Sequence, residues 1–189
     1  EAYRNLAMLK ERLGGSFEAL IQLKLAIITR SDYSESYFNF GTILEKIQFK
    51  QDTEEFDQII SRLLKEKFFL RPDKLVGPVL CLFKSCGSLD LLLTRTELIR
   101  SSRDLLHVFK LLNRRKLISH ILEVCPLPDL FFERMLTILR RKLLEYYRGL
   151  PVNSDALGFG VCLSSQCFIN EFIYAVTEEE AFEVERLEQ

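Results

Sequence analysis

Apolar residues recur at three- and four-residue steps along most of the chain, a spacing typical of amphipathic α-helices. The clearest run follows Asp129, a suitable N-terminal cap, and ends at Gly149-x-Pro151. Its apolar stripe consists of Phe132, Met135, Leu136, Leu139, Leu143 and Tyr146. Comparable stripes, separated by Gly, Pro and capping residues, precede it. The pattern therefore predicts an all-α fold.

The stretch at residues 154–177 is apolar on almost every side of a helical wheel and contains no Lys or Arg. A helix that is apolar all round is buried all round, so we expect it to be the central helix of the domain. It is long enough to cross a membrane, but its polar residues would lack partners in lipid. These residues are Asp155, Gln166, Asn170 and Glu171. After it, Thr177 and Glu180 predict a capping box for a last, acidic helix.

The N-terminal part of the chain contains a repeat. Tyr3-x2-Leu6-Ala7 recurs 34 residues later as Tyr37-x2-Phe40-Gly41, and this is the period of the tetratricopeptide repeat. The first copy also carries the later signature positions of that repeat, which are Ala19, Leu23 and Ala26. We expect helices at about 2–13 and 17–30, with Gly14 and Gly15 in the turn between them.

The second copy resembles the repeat only in its first half. Ser34 is expected to cap its first helix, but Thr53 stands where the repeat has Ala. Asp52 is instead expected to cap a new helix. The apolar face of that helix comprises Phe56, Ile59, Ile60, Leu63 and Leu64. Two repeats leave apolar faces uncovered, so we predict degenerate repeat-like hairpins at 1–70, capped by an irregular helical bundle or α-solenoid at 71–189, as one continuous α-helical domain.

Composition and charge narrow the function classes. The chain has 189 residues, of which 48% are hydrophobic, and this supports a substantial core. Its net charge of -1 gives no general attraction to nucleic acid or to an anionic membrane. We therefore expect no nucleic-acid or membrane partner. Because no secretory signal is visible, we also expect a cytoplasmic protein. The chain does not begin with Met, which predicts that it is a fragment of a longer protein.

The candidate metal ligands and nucleophiles are poorly placed. Five cysteines without a secretory signal predict reduced, packed thiols. Two residues five apart on a helix point about 140° from each other, so a C-x4-C pair does not aim at one metal ion. Such pairs are Cys81 with Cys86, and Cys162 with Cys167. His107 and His120 lack metal-site spacing, and Ser164 and Ser165 lack the surroundings of a nucleophile. We therefore predict no metal site and no catalytic residue.

Two phrases in the second half resemble a tract of one protein family. The first lies at residues 130–144 and contains Glu133-Arg134-Met135-Leu136-Thr137 and Arg140-Arg141. The second is Gln166-Cys167-Phe168-Ile169-Asn170-Glu171-Phe172, with Phe172 where the family usually has Tyr. Together with the repeats, they resemble bacterial S-adenosylmethionine-dependent methyltransferases that carry N-terminal tetratricopeptide repeats. The resemblance implies a methyltransferase parent that binds S-adenosylmethionine in a catalytic domain outside this chain, and no cofactor here.

Two sets of residues are candidates for docking. Gln166, Asn170 and Glu171 are expected to form a buried polar network between helices, or else to contact the catalytic domain or its substrate. By resemblance to tetratricopeptide repeats, the inner, concave face would bind a protein or peptide. The protein's own catalytic domain is one such candidate partner. That face would consist of Arg4, Met8, Glu11, Arg12, Phe38, Asn39, Thr42, Glu45 and Lys46.

Three functional hypotheses follow. The first is a non-catalytic interaction or scaffold region that recruits a substrate or partner for the methyltransferase domain. The second is a structural or dimerising helical region with no ligand of its own; it predicts that Phe168→Ala lowers stability by about 3–5 kcal/mol. The third is a self-contained enzyme, which would require a deep polar pocket with perturbed titratable groups.

Overall fold

The computed structural model describes residues 1–49, 54–66, 70–85, 88–151, 154–169 and 176–187, and within these ranges its regular elements are helices, without a β-strand. The predicted all-α class is therefore confirmed. The chain divides into two units, Glu1–Cys86 and Gly87–Gln189. The first contains α1 (Ala2–Arg12), α2 (Ser16–Thr29), α3 (Ser34–Leu44), α4 (Asp57–Lys65) and α5 (Pro72–Ser85). The second contains α6 (Ser88–Glu97), α7 (Ser102–Asn113), α8 (Lys116–Val124), α9 (Leu130–Tyr146), α10 (Ser154–Ile169) and α11 (Glu178–Leu187). The boundary predicted at residue 70 lies just before α5.

The first unit is built from consecutive helices that pack on their neighbours in sequence. Gly14 has a φ of 83°, and it donates to the carbonyl of Glu11 at 3.0 Å while Gly15 donates to that of Lys10 at 2.9 Å. This pair of bonds is a Schellman motif, which ends α1 and reverses the chain into α2. The predicted glycine turn is therefore confirmed, and the small residues Ala7, Ala19 and Ala26 are buried.

An aromatic cluster forms the core of the first unit. The ring of Phe56 lies 5.9 Å from that of Phe17, 5.5 Å from that of Phe40 and 6.4 Å from that of Phe49, measured between centroids. The whole predicted apolar face of α4 is buried. The predicted Asp52 cap lies outside the described residues. Ser34 is not a cap, because it is the first residue of α3 and Tyr33 takes the capping position.

The second unit is organised around α10, which packs against α7, α8 and α9. Phe159 on α10 is fully buried, and its ring centroid lies 4.9 Å from that of Phe109 on α7. The prediction that this helix is buried all round is wrong, because Val161 is 56% exposed and Phe168 is 72% exposed. Three neighbouring helices cover only part of its circumference, and an apolar wheel does not reveal which part.

Local capping in the second unit follows the sequence closely. Asp129 Oδ1 accepts hydrogen bonds from the backbone N–H groups of Phe131 and Phe132 at 3.1 and 3.3 Å, which confirms the predicted cap of α9. Of the predicted α9 stripe, Leu143 and Tyr146 are only half-buried. Thr177 does not belong to the preceding helix. It lies outside regular structure and directly precedes α11, so the predicted helix at 154–177 is wrong at its end.

Candidate interaction surfaces

The predicted inner face of α1 and α3 is partly occupied by ion pairs within the first unit. Arg4 pairs with Glu35 and also donates to the hydroxyl of Tyr33. Glu11 Oε1 lies 3.6 Å from Lys46 Nζ, so the structure brings together two candidates from the two repeat copies. These charges neutralise each other, which leaves less of this face for a charged ligand than the sequence indicates.

The other inner-face candidates differ in exposure. Phe38 is 51% exposed and is the largest apolar group among them. Thr42 Oγ1 donates to the carbonyl of Phe38 at 2.9 Å, so its hydroxyl serves its own helix. Met8 and Asn39 are half-buried, and the remaining two are exposed. Those two are Arg12 and Glu45.

A second surface of the first unit was missed from the sequence. Leu6, Leu9 and Leu13 on and just after α1 are 42%, 53% and 78% exposed, and with steps of three and four residues they lie within an arc of about 60°. We call these three residues the leucine stripe. Tyr3, the opening residue of the repeat pattern, is 43% exposed as well. The spacing was visible in the sequence, but α1 has a second apolar side around the buried Ala7, and the spacing alone does not distinguish the covered side from the open one.

Two cations border the leucine stripe. Lys10 and Arg12 project on opposite sides of it, by the angular positions of these residues on a helix. Neither side chain forms an ion pair with any residue in the described part of the chain, whereas Arg4 and Glu11 on the same helix are paired. The margins of the stripe therefore carry uncompensated positive charge.

In the second unit, a cleft of about 320 Å³ lies between α9, α10 and the loop at residues 126–128. Residues of the two phrases at 130–144 and 166–172 both line it. The lining residues that belong to those phrases are Glu133, Leu136, Thr137, Arg140, Gln166 and Cys167. Gln166 is only 3% exposed, so it is a buried polar residue at this cleft. Asn170 and Glu171, the other two docking candidates, lie outside the described residues.

A carboxylate clamp fastens α11 to α9 beside this cleft. Glu180, 6% exposed, accepts from Arg140 Nε at 3.0 Å and from Arg141 Nε at 3.1 Å. Its Oε2 also accepts from the backbone N–H of Thr177 at 3.0 Å, while Thr177 Oγ1 accepts from the backbone N–H of Glu180 at 3.3 Å. This confirms the predicted capping box. Burial raises the pKa of Glu180, but the Thr177 hydrogen bond and the two guanidinium groups outweigh it, and the pKa is lowered.

Cys162 and His107 of the second unit each interact with a neighbouring side chain. The Cys162 thiol lies 3.3 Å from Glu123 Oε1, and burial together with this carboxylate raises the pKa of Cys162 to about 11. The thiol therefore stays protonated and is a poor nucleophile at neutral pH. His107 Nε2 lies 2.9 Å from Arg95 Nη1 and, because arginine only donates, it acts as the acceptor.

The described residues contain neither a metal-ligating cluster nor a helix suited to crossing a membrane. Within the described ranges, His, Cys, Asp and Glu side chains form no group of three that could hold a metal ion. None of the helices in the part of the chain that the structure covers has the length and apolarity to cross a membrane.

Comparison with known proteins adds no further residues to these surfaces. The chain matches no protein-family model, no curated protein and no solved structure.

Proposed function

We propose that this chain is a non-catalytic protein-interaction region, which recruits a substrate or partner for a methyltransferase domain of the same bacterial, cytoplasmic protein. The observation that carries the proposal is the leucine stripe. Burying a leucine side chain fully stabilises a complex by roughly 1.5–3 kcal/mol, so covering the exposed fractions of these three contributes about 3–5 kcal/mol. Contiguous exposed apolar residues with polar margins mark interaction sites on soluble domains.

A tetratricopeptide-type arrangement of the first unit is part of this proposal. The 34-residue offset supports it, as do the buried alanines between α1 and α2 and the crowding around Gly41. A Cβ atom added to Gly41 would lie 2.9 Å from Leu70 Cδ2, so this position requires the close approach that small residues allow in the repeat. In such a stack, the open side of the first helix is a surface for a further helix.

The link to methyl transfer rests on the two resembling phrases. Their residues line one cleft, although 26 positions separate Arg140 from Gln166 in sequence. Because residues of both phrases line the same cleft, we propose that they act together. We assign to this cleft the contact with the catalytic domain that binds S-adenosylmethionine. Gln166 forms a buried part of the cleft wall.

A structural or dimerising region is the alternative, and the clamp at Glu180 favours it. A buried carboxylate held by two guanidinium groups docks α11 on α9 without a ligand. On this alternative the leucine stripe would be covered by a second copy of the chain.

Site-specific photocrosslinking in cells that express the parent protein distinguishes the interaction region from the structural or dimerising region. The crosslinking residue p-benzoylphenylalanine replaces Leu9 in one variant and Ile28 in a control, since Ile28 is an exposed apolar residue on α2 (67%) outside the stripe. We expect position 9, and not position 28, to capture a defined protein, which then accepts a radiolabelled methyl group from S-adenosylmethionine in the presence of the parent enzyme. Capture of a second copy supports the dimerising alternative, and identical products at both positions refute the proposal.

A further inference from the structure

The positive margins of the leucine stripe indicate what kind of partner fits it. We propose that the stripe binds an amphipathic α-helix that presents branched apolar residues to the leucines and carries Asp or Glu along its polar margins. This inference deepens the proposed function and rests on it, because it names the chemistry of the recruited partner.

The shape of the stripe suits a helix. The three leucines extend over two turns, roughly 10 Å along α1, with the three- and four-residue steps that form ridges for helix–helix packing. Their side chains offer no hydrogen-bonding group. An extended peptide laid across them would lose water from its backbone without replacement, whereas a helix satisfies its backbone internally.

The charge of the stripe selects an acidic partner. Arg4 is neutralised by Glu35 and Glu11 by Lys46, so the uncompensated charges that remain on α1 are Lys10 and Arg12. Carboxylates on the incoming helix would meet one cation on each side of the leucines. Such complementarity raises the association rate and rejects partners of the wrong sign.

The same charges argue against a second copy of α1 as the occupant. In a symmetric pair centred on Leu9, Lys10 and Arg12 of both copies would lie within about one turn of the symmetry axis. Four cations would then border one small apolar contact, and like charges across an interface are unfavourable. The charge pattern therefore favours a different, acidic helix.

The test uses the whole chain and two synthetic helical peptides of 20 residues. Both carry leucine at successive three- and four-residue steps; one has glutamate at the flanking positions and the other has lysine. Binding is measured by fluorescence anisotropy at low and at high salt. We expect the glutamate peptide to bind at least tenfold more tightly than the lysine peptide, with a difference that shrinks in high salt.

Variants of the stripe and of its two bordering cations show whether the stripe is the site. Leu9→Asp is expected to abolish binding, whereas Ile28→Asp, an equal change on the exposed part of α2, leaves it unaltered. The double variant Lys10→Glu and Arg12→Glu is expected to reverse the preference between the peptides. Circular dichroism and sedimentation confirm that each variant keeps its helices and its mass.

Three results would overturn the proposal. Equal binding of both peptides would refute the acidic partner while leaving the stripe as an interaction surface. Binding of neither peptide would refute a helical partner, and crosslinking at position 9 would then decide the proposed function separately. A dimer of the unmodified chain that Leu9→Asp converts to a monomer would identify a second copy as the occupant.

Discussion

Replacing Glu180 with Gln tests the clamp that holds α11 on α9. The substitution keeps the shape of the side chain and one carbonyl acceptor but removes the charge that Arg140 and Arg141 neutralise. Arg140 is only 13% exposed, so it would lose its counter-charge in a largely buried position, whereas Arg141 is 39% exposed and water compensates it in part.

The magnitude follows from the contacts of the carboxylate. Three hydrogen bonds reach Glu180 from Arg140, Arg141 and the backbone of Thr177, and bonds to charged groups contribute about 1.5–3 kcal/mol each. Breaking a buried pair costs about 3–5 kcal/mol when one partner is removed entirely. Because glutamine retains part of the hydrogen bonding and Arg141 is solvated, we expect a loss of about 2–4 kcal/mol.

Hydrogen exchange is the appropriate assay because the clamp acts on one helix. Amides of α11 in Glu180→Gln are expected to exchange roughly 30- to 1,000-fold faster than in the unmodified chain, since each 1.4 kcal/mol is a factor of ten. The matched control is Glu185→Gln, which removes the same charge from an exposed position of the same helix. Equal exchange rates in the two variants would refute the reasoning.

The protonation of Glu180 gives the same test without mutation. Its pKa is lowered in the folded chain, so its contribution to the docking of α11 is complete above the unfolded value of about 4.3 and is lost as the pH falls through the lower, folded value. Protection of the α11 amides from hydrogen exchange should therefore decline at a lower pH than the pH at which an exposed glutamate titrates. In Glu180→Gln, this pH dependence of protection should be absent.

Three further changes test the packing and the thiol chemistry. Gly41→Ala is expected to lower the free energy of unfolding by up to about 2 kcal/mol, because its Cβ atom meets Leu70 Cδ2 at 2.9 Å and moving that side chain costs more than the gain in helix propensity; the control Gly158→Ala, at an exposed position of α10 with nothing within 4 Å of the new Cβ atom, should instead stabilise by up to about 1 kcal/mol. Phe159→Ala is expected to cost about 3–5 kcal/mol in urea denaturation, whereas Phe168→Ala, 72% exposed, should change stability by about 0.5 kcal/mol or less, which corrects the expectation from the sequence. With a pKa of about 11, Cys162 should be alkylated by iodoacetamide at pH 8 far more slowly than free cysteine, and rapid modification would contradict its burial against a carboxylate.

Features set by neighbouring residues were predictable. The Asp129 cap, the Thr177 capping box and the Gly14 turn each depend on hydrogen bonds within a few residues, and the sequence displays all the partners. The buried face of α4 was equally clear because its apolar residues occupy a single side.

Features set by distant residues were not predictable. Glu180 reads as one of several glutamates in an acidic helix, and its partner Arg140 lies 40 residues away. The exposure of the leucine stripe and of Phe168 could not be predicted for a different reason. Periodicity shows that one side of a helix is apolar, but it does not show whether a neighbouring helix covers that side. The inner-face candidates were placed by resemblance, and the ion pairs that engage Arg4 and Glu11 depend on the arrangement of α1 against α3.

Arg140 is shared between two places, since its guanidinium holds Glu180 while its side chain lines the cleft. A ligand anion that recruits Arg140 into the cleft must compete with Glu180, so its affinity and the docking of α11 are thermodynamically linked. Linkage is reciprocal: a change that releases α11 would free Arg140 to donate hydrogen bonds to an anion, and such an anion would weaken the docking of α11 by the same free energy. The docking of α11 on α9 would therefore respond to an anion bound in the cleft.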